Sequence, residues 1–447
     1  MRTGPRKGCM REDVVIIGGG LAGSEAAWQA ANRGARVTLY EMRPKEPTPA
    51  HQTGFLAELV CSNSLGSDDS LSAPGILKAE MRRLGSLIIK IAEEARVPAG
   101  AALAVDRDQF AQKITQALES HSNIRIIHEQ VTTIPKDAVV IIATGPLTSD
   151  ALAADLMALT NSRHLYFFDA IAPIVDADSI DHALTFKASR YDKGTADYLN
   201  CPMTAAEYDA FYQALLAAEK VVPKEFEKVP YFEGCIPIEV MAERGRDTMM
   251  FGPMKPVGLV DPKTNTRPYA VVQLRMENKY GTCYNLVGFQ TKLTYGAQKR
   301  VFRTIPGLAN AEFLRYGSVH RNTFVNAPAV LKNSLQLKFQ PRTFIAGQLV
   351  GVEGYTEAAA SGGLAGINAA RFLHDLEVVT PPETTAHGAL VNYITTSDPR
   401  HFQPININYG LFPPLTTRIR DKQDRQHRTG QRALEDFTTW MQQSALS

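Results

Sequence analysis

The sequence has 447 residues, of which 44% are hydrophobic and 21% charged, a balance that supports a sizeable core and excludes a disordered or fibrous chain. Lys and Arg number 48 against 46 Asp and Glu, so the net charge of +2 confines any nucleic-acid-binding face to a local patch. No apolar run approaches the roughly 20 residues needed to span a bilayer, and the basic start MRTGPRKGCM leads into only four apolar residues, so it reads as an extension with Met10 as a second candidate start.

Cys9, Cys61, Cys201, Cys235 and Cys283 form no CxxC pair, and an odd number cannot all pair within one chain. Reduced thiols in the cytoplasm and no metal centre are therefore expected. Length alone suggests about three domains, or two larger ones.

Residues 14–23, VVIIGGGLAG, join a buried parallel strand to a tight turn and a helix N-terminus. Without a Cβ at Gly18 or Gly20, backbone N–H groups there can approach a pyrophosphate. An Ala-rich helix over 21–33 and a strand over 36–40 follow, and then Glu41, 21 residues after Gly20, where a dinucleotide fold needs a carboxylate for ribose hydroxyls. Residues 42–54 are Pro-rich and polar, hence a loop. In 56–67, LAELVCSNSLGS, the Ser-Asn-Ser run reads as backbone approaching a ligand or as a capping turn.

Apolar residues at 77, 81, 84, 88 and 91 predict one long helix over 76–96. A second helix over 106–118 begins at an Asp cap, and strands follow at 124–128 and 138–143, the latter closing in Ala143-Thr144-Gly145. From about 155 the β/α rhythm breaks. Segments 269–277 and 282–289 read as an antiparallel hairpin, and 295–303 as a basic helix. The first fold resumes at 342–347, a strand ending in Gly347, and a small-residue helix over 356–373 contains SGGLAG. That stretch reads either as a second cofactor-facing helix terminus or as close helix packing. Two nucleotide-facing elements so far apart favour FAD over NAD as the resident cofactor.

The expected architecture is α/β: a glutathione-reductase-like, Rossmann-type FAD-binding domain split by an inserted α+β domain with an antiparallel sheet. Its segments are 1–155, 156–334 on the substrate side, and 335–447 with a basic stretch at 418–432 that reads as a solvated helix face or as a phosphate contact. Cys61 stands among small polar residues, and Gly234 and Pro237 bracket Cys235 in a tight turn. Each reads as a nucleophile if a cation, base or helix terminus lies nearby, and otherwise as a small hydrophobe.

GGGLAGSEAAW, LVCSNS, FEGCIPIEVMA, GPMKPVGL and GQLVGVEGYTEAAASGGLAG together resemble the TrmFO family, the folate- and FAD-dependent tRNA (uracil-5-)-methyltransferases, over nearly the whole chain. The resemblance implies formation of 5-methyluridine in the T-loop of tRNA. The carbon comes from 5,10-methylenetetrahydrofolate, and FAD reduced by NAD(P)H supplies the electrons. It also implies that Cys235 attacks the base and that Cys61 acts beside the flavin.

Cofactor contacts are expected from Gly18, Gly19, Gly20, Leu21, Ala22, Gly23 and Glu41 at the adenosine end. Asn63, Ser64, Thr144, Gly145, Gly347, Gln348, Gly354 and Tyr355 are expected near the rest, with Tyr355 able to stack on the isoalloxazine or the pterin. The tRNA is expected to meet basic side chains drawn from Lys255, Arg275, Lys292, Lys299, Arg300, Arg303, Arg315 and Arg321. Three other readings of the residues stay open: a longer GidA/MnmG-type tRNA-modifying flavoprotein, an NAD(P)H-dependent flavin oxidoreductase with a small substrate, and an RNA-binding module that holds FAD structurally.

Overall fold

The structure is a computed structural model that describes residues 14–160, 165–170, 172–193, 195–221, 236–276, 281–317, 319–400, 402, 404–417 and 419–446. Its first unit is a βαβ turn: β1 (Val14–Ile17), α1 (Leu21–Ala31) and β2 (Val37–Tyr40), with β1 and β2 parallel from Val14 opposite Val37 to Ile17 opposite Tyr40. The strands are short and apolar because the sheet is covered on both faces.

β3 (Ser64–Ser67), β4 (Arg96–Val97) and β5 (Ala102–Val105) make a small antiparallel sheet in the order β3-β5-β4. Between β3 and β4 lie α2 (Ala73–Arg83) and α3 (Leu87–Glu94), two helices where the apolar period predicts one. The break is local chemistry. Gly85 takes a positive φ of 69°, and Ser86 caps α3 by accepting from Ile89 N while donating to the buried Glu25 carboxylate at 2.8 Å. α4 (Arg107–Glu119) starts at its Asp106 cap and leads to β6 (Ile124–Ile127), β7 (Val139–Ile142) and α5 (Asp150–Thr160).

The chain leaves this layer along β8 (Leu165–Ala170). A second sheet then forms from β9 (Ile174–Asp176), β10 (Phe186–Lys187), β11 (Leu199–Met203), β12 (Ala270–Met276), β13 (Cys283–Leu286) and β14 (Phe313–Arg315), in the order β10-β11-β12-β13-β9-β14. β12 and β13 pair antiparallel as the sequence predicts; the turn at 277–280 lies outside the described residues. α6 (Ala205–Leu216), α7 (Ile238–Arg244), α8 (Thr248–Phe251) and α9 (Tyr295–Phe302) pack on this sheet around a core that includes Tyr208, Phe211, Phe289 and Phe302. β15 (Val319–Phe324) returns antiparallel to β8, so the strands that leave and re-enter the first layer are zipped together.

After α10 (Ala327–Val330), β16 (Thr343–Ile345) adds parallel to β7 and completes the sheet β16-β7-β1-β2-β6. α11 (Tyr355–Leu373) then crosses α1 at backbone contact: a Cβ built on Gly362 would lie 2.1 Å from Ala22 O, and one on Gly366 would lie 2.4 Å from Ala26 O. Gly362 and Gly366 of SGGLAG therefore serve helix packing, and the part of α11 that lines the cleft is its first turn, through Tyr355 and Ala358. α12 (Ala386–Thr396) and α13 (Lys422–Gln443) close the fold. α13 is amphipathic and buries Phe437, Trp440 and Met441, so the basic stretch of the tail is the outer part of a docked helix. No helix among the described residues is long and apolar enough to cross a membrane.

A candidate dinucleotide cleft and its cysteine

A cleft opens at the carboxyl ends of β1, β2, β7 and β16, the edge at which open α/β sheets bind ligands. Gly18, Gly19, Gly20, Leu21, Ala22, Glu41, Thr144, Gly145, Gly347, Gln348 and Tyr355 line it, so this subset of the expected cofactor residues converges on one space. Gly18 has φ +103°, and a Cβ there would sit 2.6 Å from Ala143 O. A Cβ on Gly20 would meet nothing within 4 Å, which leaves room for a ligand directly at the N-terminus of α1. Gly20 carries no side-chain cap, so the first-turn N–H groups suit an anion such as pyrophosphate.

Glu41 is held rather than loose. Its Oε2 accepts from Gly19 N at 2.9 Å, and its Oε1 accepts from Arg43 N at 3.0 Å and Arg43 Nε at 2.9 Å. Burial alone pushes the carboxyl up, but the Arg43 guanidinium and the two N–H donors outweigh it and hold Glu41 below the usual carboxylate range. One lone pair remains on Oε2 for a ribose hydroxyl, both of those on Oε1 being taken by Arg43. Arg43, only 3% exposed, also donates to Glu58 Oε2 at 3.1 Å and so pins the Pro-rich loop against the cleft. His51 of that loop lies 2.6 Å from Thr48 Oγ1, and burial together with nearby Arg43 lowers its pKa to about 4, so it is neutral at pH 7. Arg43, Thr48, His51 and Glu58 all line the cleft; sequence reasoning passed over the first three as loop and did not single out Glu58.

At the other end the first turn of α11 meets Cys61. The Tyr355 hydroxyl oxygen accepts from Cys61 N at 2.8 Å and Ser62 N at 3.3 Å, and lies 2.9 Å from Cys61 Sγ. Burial raises the phenol well above its ordinary pKa, so the group stays protonated. The contact with the sulfur is a hydrogen bond across which either group can donate. Arg107 Nη1 donates to Leu59 O at 2.7 Å and fixes the chain just before this cysteine. Tyr355 thus anchors the Cys61 turn through its hydroxyl while contributing to the wall of the cleft.

Several expected site residues lie elsewhere. Asn63 is fully buried: its Nδ2 donates to Val105 O and Met276 O, and its Oδ1 accepts from Arg275 Nε at 2.8 Å. Arg275 also donates to Ser62 Oγ at 2.7 Å, so this pair joins β12 to the start of β3 and does not line the cleft. Ser64 Oγ accepts from Gly66 N within its own turn. Gly23 packs beneath Gly18, and Gly354 starts α11; neither lines the cleft. Cys235 lies outside the described residues, as do Cys9 and the side chain of Arg321. Cys201 is fully buried in the second core, where burial raises its thiol to about 12 and leaves it inert. Of the basic residues, Lys299 and Arg300 are exposed, Arg300 pairing with Glu219 at 2.6 Å; Arg303 donates to Ala311 O, and Lys255 and Lys292 are half-buried.

Residues 13–377 match the family model described as glucose inhibited division protein A. A protein of Desulforudis audaxviator named methylenetetrahydrofolate--tRNA-(uracil-5-)-methyltransferase TrmFO is 58% identical over 433 residues, covering 97% of this chain and 99% of its own. Proteins of the same name from Geotalea uraniireducens and Aquifex aeolicus are 60% and 58% identical over similarly complete spans. The chain belongs to the TrmFO family. Its fold is shared with Aquifex aeolicus GidA, solved in its form I crystal, at a TM-score of 0.69 and 19% identity over 98% of this chain and 78% of that one. The TrmFO fold is thus the GidA-like FAD-binding architecture in a shorter chain, and the expected Rossmann-type sheet with an antiparallel second sheet is the one observed.

Proposed function

We propose that this chain forms 5-methyluridine in the T-loop of tRNA, taking the carbon from 5,10-methylenetetrahydrofolate and the reducing electrons from NAD(P)H through FAD, in the cytoplasm where both substrates are found. The observation that carries this reading is near-complete alignment at 56–60% identity with proteins bearing the methyltransferase name, against 18–19% for the GidA structures of the same fold. The residues present suit FAD: an uncapped helix N-terminus beside the open position at Gly20, and an anchored carboxylate at Glu41. Gly18 to Ala22 and Glu41 would hold its adenosine diphosphate end, with Thr144, Gly145, Gly347 and Gln348 along the remainder. Bound FAD supplies the two electrons that turn a methylene into a methyl group.

The protein's part is to activate the base. Uracil C5 is a weak nucleophile until a group adds at C6, and a thiolate adds and leaves readily. Cys235 fills that role: its sulfur bonds to C6, C5 bonds to the folate methylene, the methylene–nitrogen bond breaks to release tetrahydrofolate as the C5 proton departs, and hydride addition to the exocyclic methylene expels the C6 thiolate. Cys61, hydrogen-bonded to Tyr355 at 2.9 Å, handles a proton beside the cleft. The target uridine has to turn out of its loop to reach these groups. The segment 156–334 forms the RNA side, inserted between the FAD-binding segments 1–155 and 335–447.

The test is transfer of labelled carbon from methylenetetrahydrofolate to unmodified tRNA with FAD and NAD(P)H present. Wild type should give labelled 5-methyluridine and Cys235→Ala none. Product from both would move the nucleophile elsewhere, and none from wild type holding FAD would remove the methyltransferase reading.

A further inference from the structure

A column of aromatic rings runs through the second sheet's helical layer to the surface. Phe289 and Phe302 are fully buried, with centroids 5.7 Å apart; Phe302 leads to Phe313 at 6.4 Å, Phe313 stacks on Tyr316 at 5.3 Å, and Tyr316 stacks on Tyr295 at 4.8 Å with planes 19° apart. Tyr295, the outermost ring, is 61% exposed. A large aromatic side chain left in water at the end of an ordered stack is positioned to receive one more flat ring.

The column is rigid where it matters. Buried Gln298 of α9 donates to Leu293 O and Gly317 O, and accepts from Gly317 N at 2.8 Å, which locks the segment carrying Tyr316 against the helix carrying Tyr295. Its position is informative as well. β14, which carries Phe313, is the edge strand of its sheet, and Arg315 Nη2 donates to Ala50 O of the loop whose His51 lines the dinucleotide cleft. The surroundings are cationic: residues 292–316 include Lys292, Lys299, Arg300, Arg303 and Arg315 against Glu312 alone, although Arg300 is engaged by Glu219.

We propose that Tyr295, backed by Tyr316 and Phe313, is a stacking platform for an unstacked base of the substrate RNA beside the cleft. The inference rests on the tRNA reading given above and adds to it the surface that holds the RNA. Every nucleobase offers a π-face, and the cations of α9 supply phosphate contacts around it, the combination by which proteins grip single-stranded RNA. A base held here is out of its loop and adjacent to the cleft.

The measurement is the affinity of the FAD-loaded chain for an unmodified tRNA transcript across a salt series, for wild type, Tyr295→Ala, Tyr295→Phe and Lys299→Gln. Flavin content and melting temperature report that each variant is folded. Loss of one stacked base weakens binding roughly 5- to 150-fold. Tyr295→Ala should show that loss with an unchanged salt slope, because stacking releases no counterions, and Tyr295→Phe should restore wild-type affinity. Lys299→Gln should instead reduce the slope by about one. Wild-type affinity in Tyr295→Ala, or a loss that Phe does not restore, overturns the platform while leaving the methyltransferase reading in place. A wild-type protein that holds FAD yet neither binds nor methylates the transcript overturns both.

Discussion

Replacing Gly362 with Ala tests whether the crossing of α1 and α11 shapes the cleft. The new Cβ would lie 2.1 Å from Ala22 O and 2.6 Å from Ala22 Cα, both backbone atoms that cannot swing aside. Ordinary contact requires the helices to separate by about 1 Å or more, and overpacking of this kind costs about 1–3 kcal/mol. Gly363→Ala in the next position is the internal control. Its Cβ would make ordinary contacts with side chains alone, Glu25 Cγ at 3.4 Å and Gln29 Cγ and Glu25 Oε1 at 3.8 Å, so it should gain the usual helix preference of Ala over Gly, about 0.5–1 kcal/mol. The two variants thus differ by about 1.5–4 kcal/mol although their composition is identical. Ala22 lines the cleft from α1, and Tyr355 and Ala358 line it from α11, so separation also displaces ligand-facing groups. Denaturation of the FAD-free proteins followed by titration with FAD reads both effects. Gly362→Ala should unfold earlier and bind FAD more weakly, while Gly363→Ala should match or exceed wild type. Equal behaviour of the two variants would refute the argument that backbone contact between these helices builds the site.

Glu41→Gln retains shape but removes the charge opposite Arg43, and should weaken FAD binding roughly 10- to 100-fold, the scale of one hydrogen bond to a charged group, as read by titrating the FAD-free protein. Tyr355→Phe leaves the N–H groups of Cys61 and Ser62 without their acceptor and should cost about 1–3 kcal/mol in denaturation, together with a slowed methyl transfer; unchanged values for both would remove the tyrosine from the Cys61 turn. His51 has a folded pKa lowered to about 4 from 6.5, so the unfolded chain takes up its proton first as pH falls. Its stabilising contribution is present above pH 6.5 and is lost as pH drops towards about 4. FAD-free wild type should therefore lose stability through this window more steeply than His51→Gln, by up to roughly 3 kcal/mol, and parallel curves would contradict a buried neutral imidazole.

The parallel sheet is legible in the sequence because β1, β7 and β16 are short apolar runs that end at a glycine or a small residue. The return of β16 beside β7 is readable for the same reason. Contacts between distant segments leave no such trace. Asn63 and Ser64 look like ligand-facing residues because small polar side chains occur both in ligand loops and at buried joints; only the partner, Arg275 from β12, separates the two. Arg275 looks like an RNA contact because composition carries no burial. His51 and Arg43 are silent in a Pro-rich loop until the fold carries that loop across the cleft. The break between α2 and α3 is hidden by an apolar period that continues through Gly85, and is decided by the bond from Ser86 to Glu25. SGGLAG has two physical uses, anion cradle and helix crossing, and only the distance to Ala22 chooses between them.

The most direct test of the methyltransferase account is the mass of the methyl group made from doubly deuterated methylenetetrahydrofolate and unmodified tRNA, with FAD and NAD(P)H supplied. The account predicts 5-methyluridine that keeps both deuteriums and gains one hydrogen from outside the folate, with tetrahydrofolate released. Methyl groups without deuterium, or dihydrofolate formed in step with product, would contradict it, since the carbon or the electrons would then come from another source.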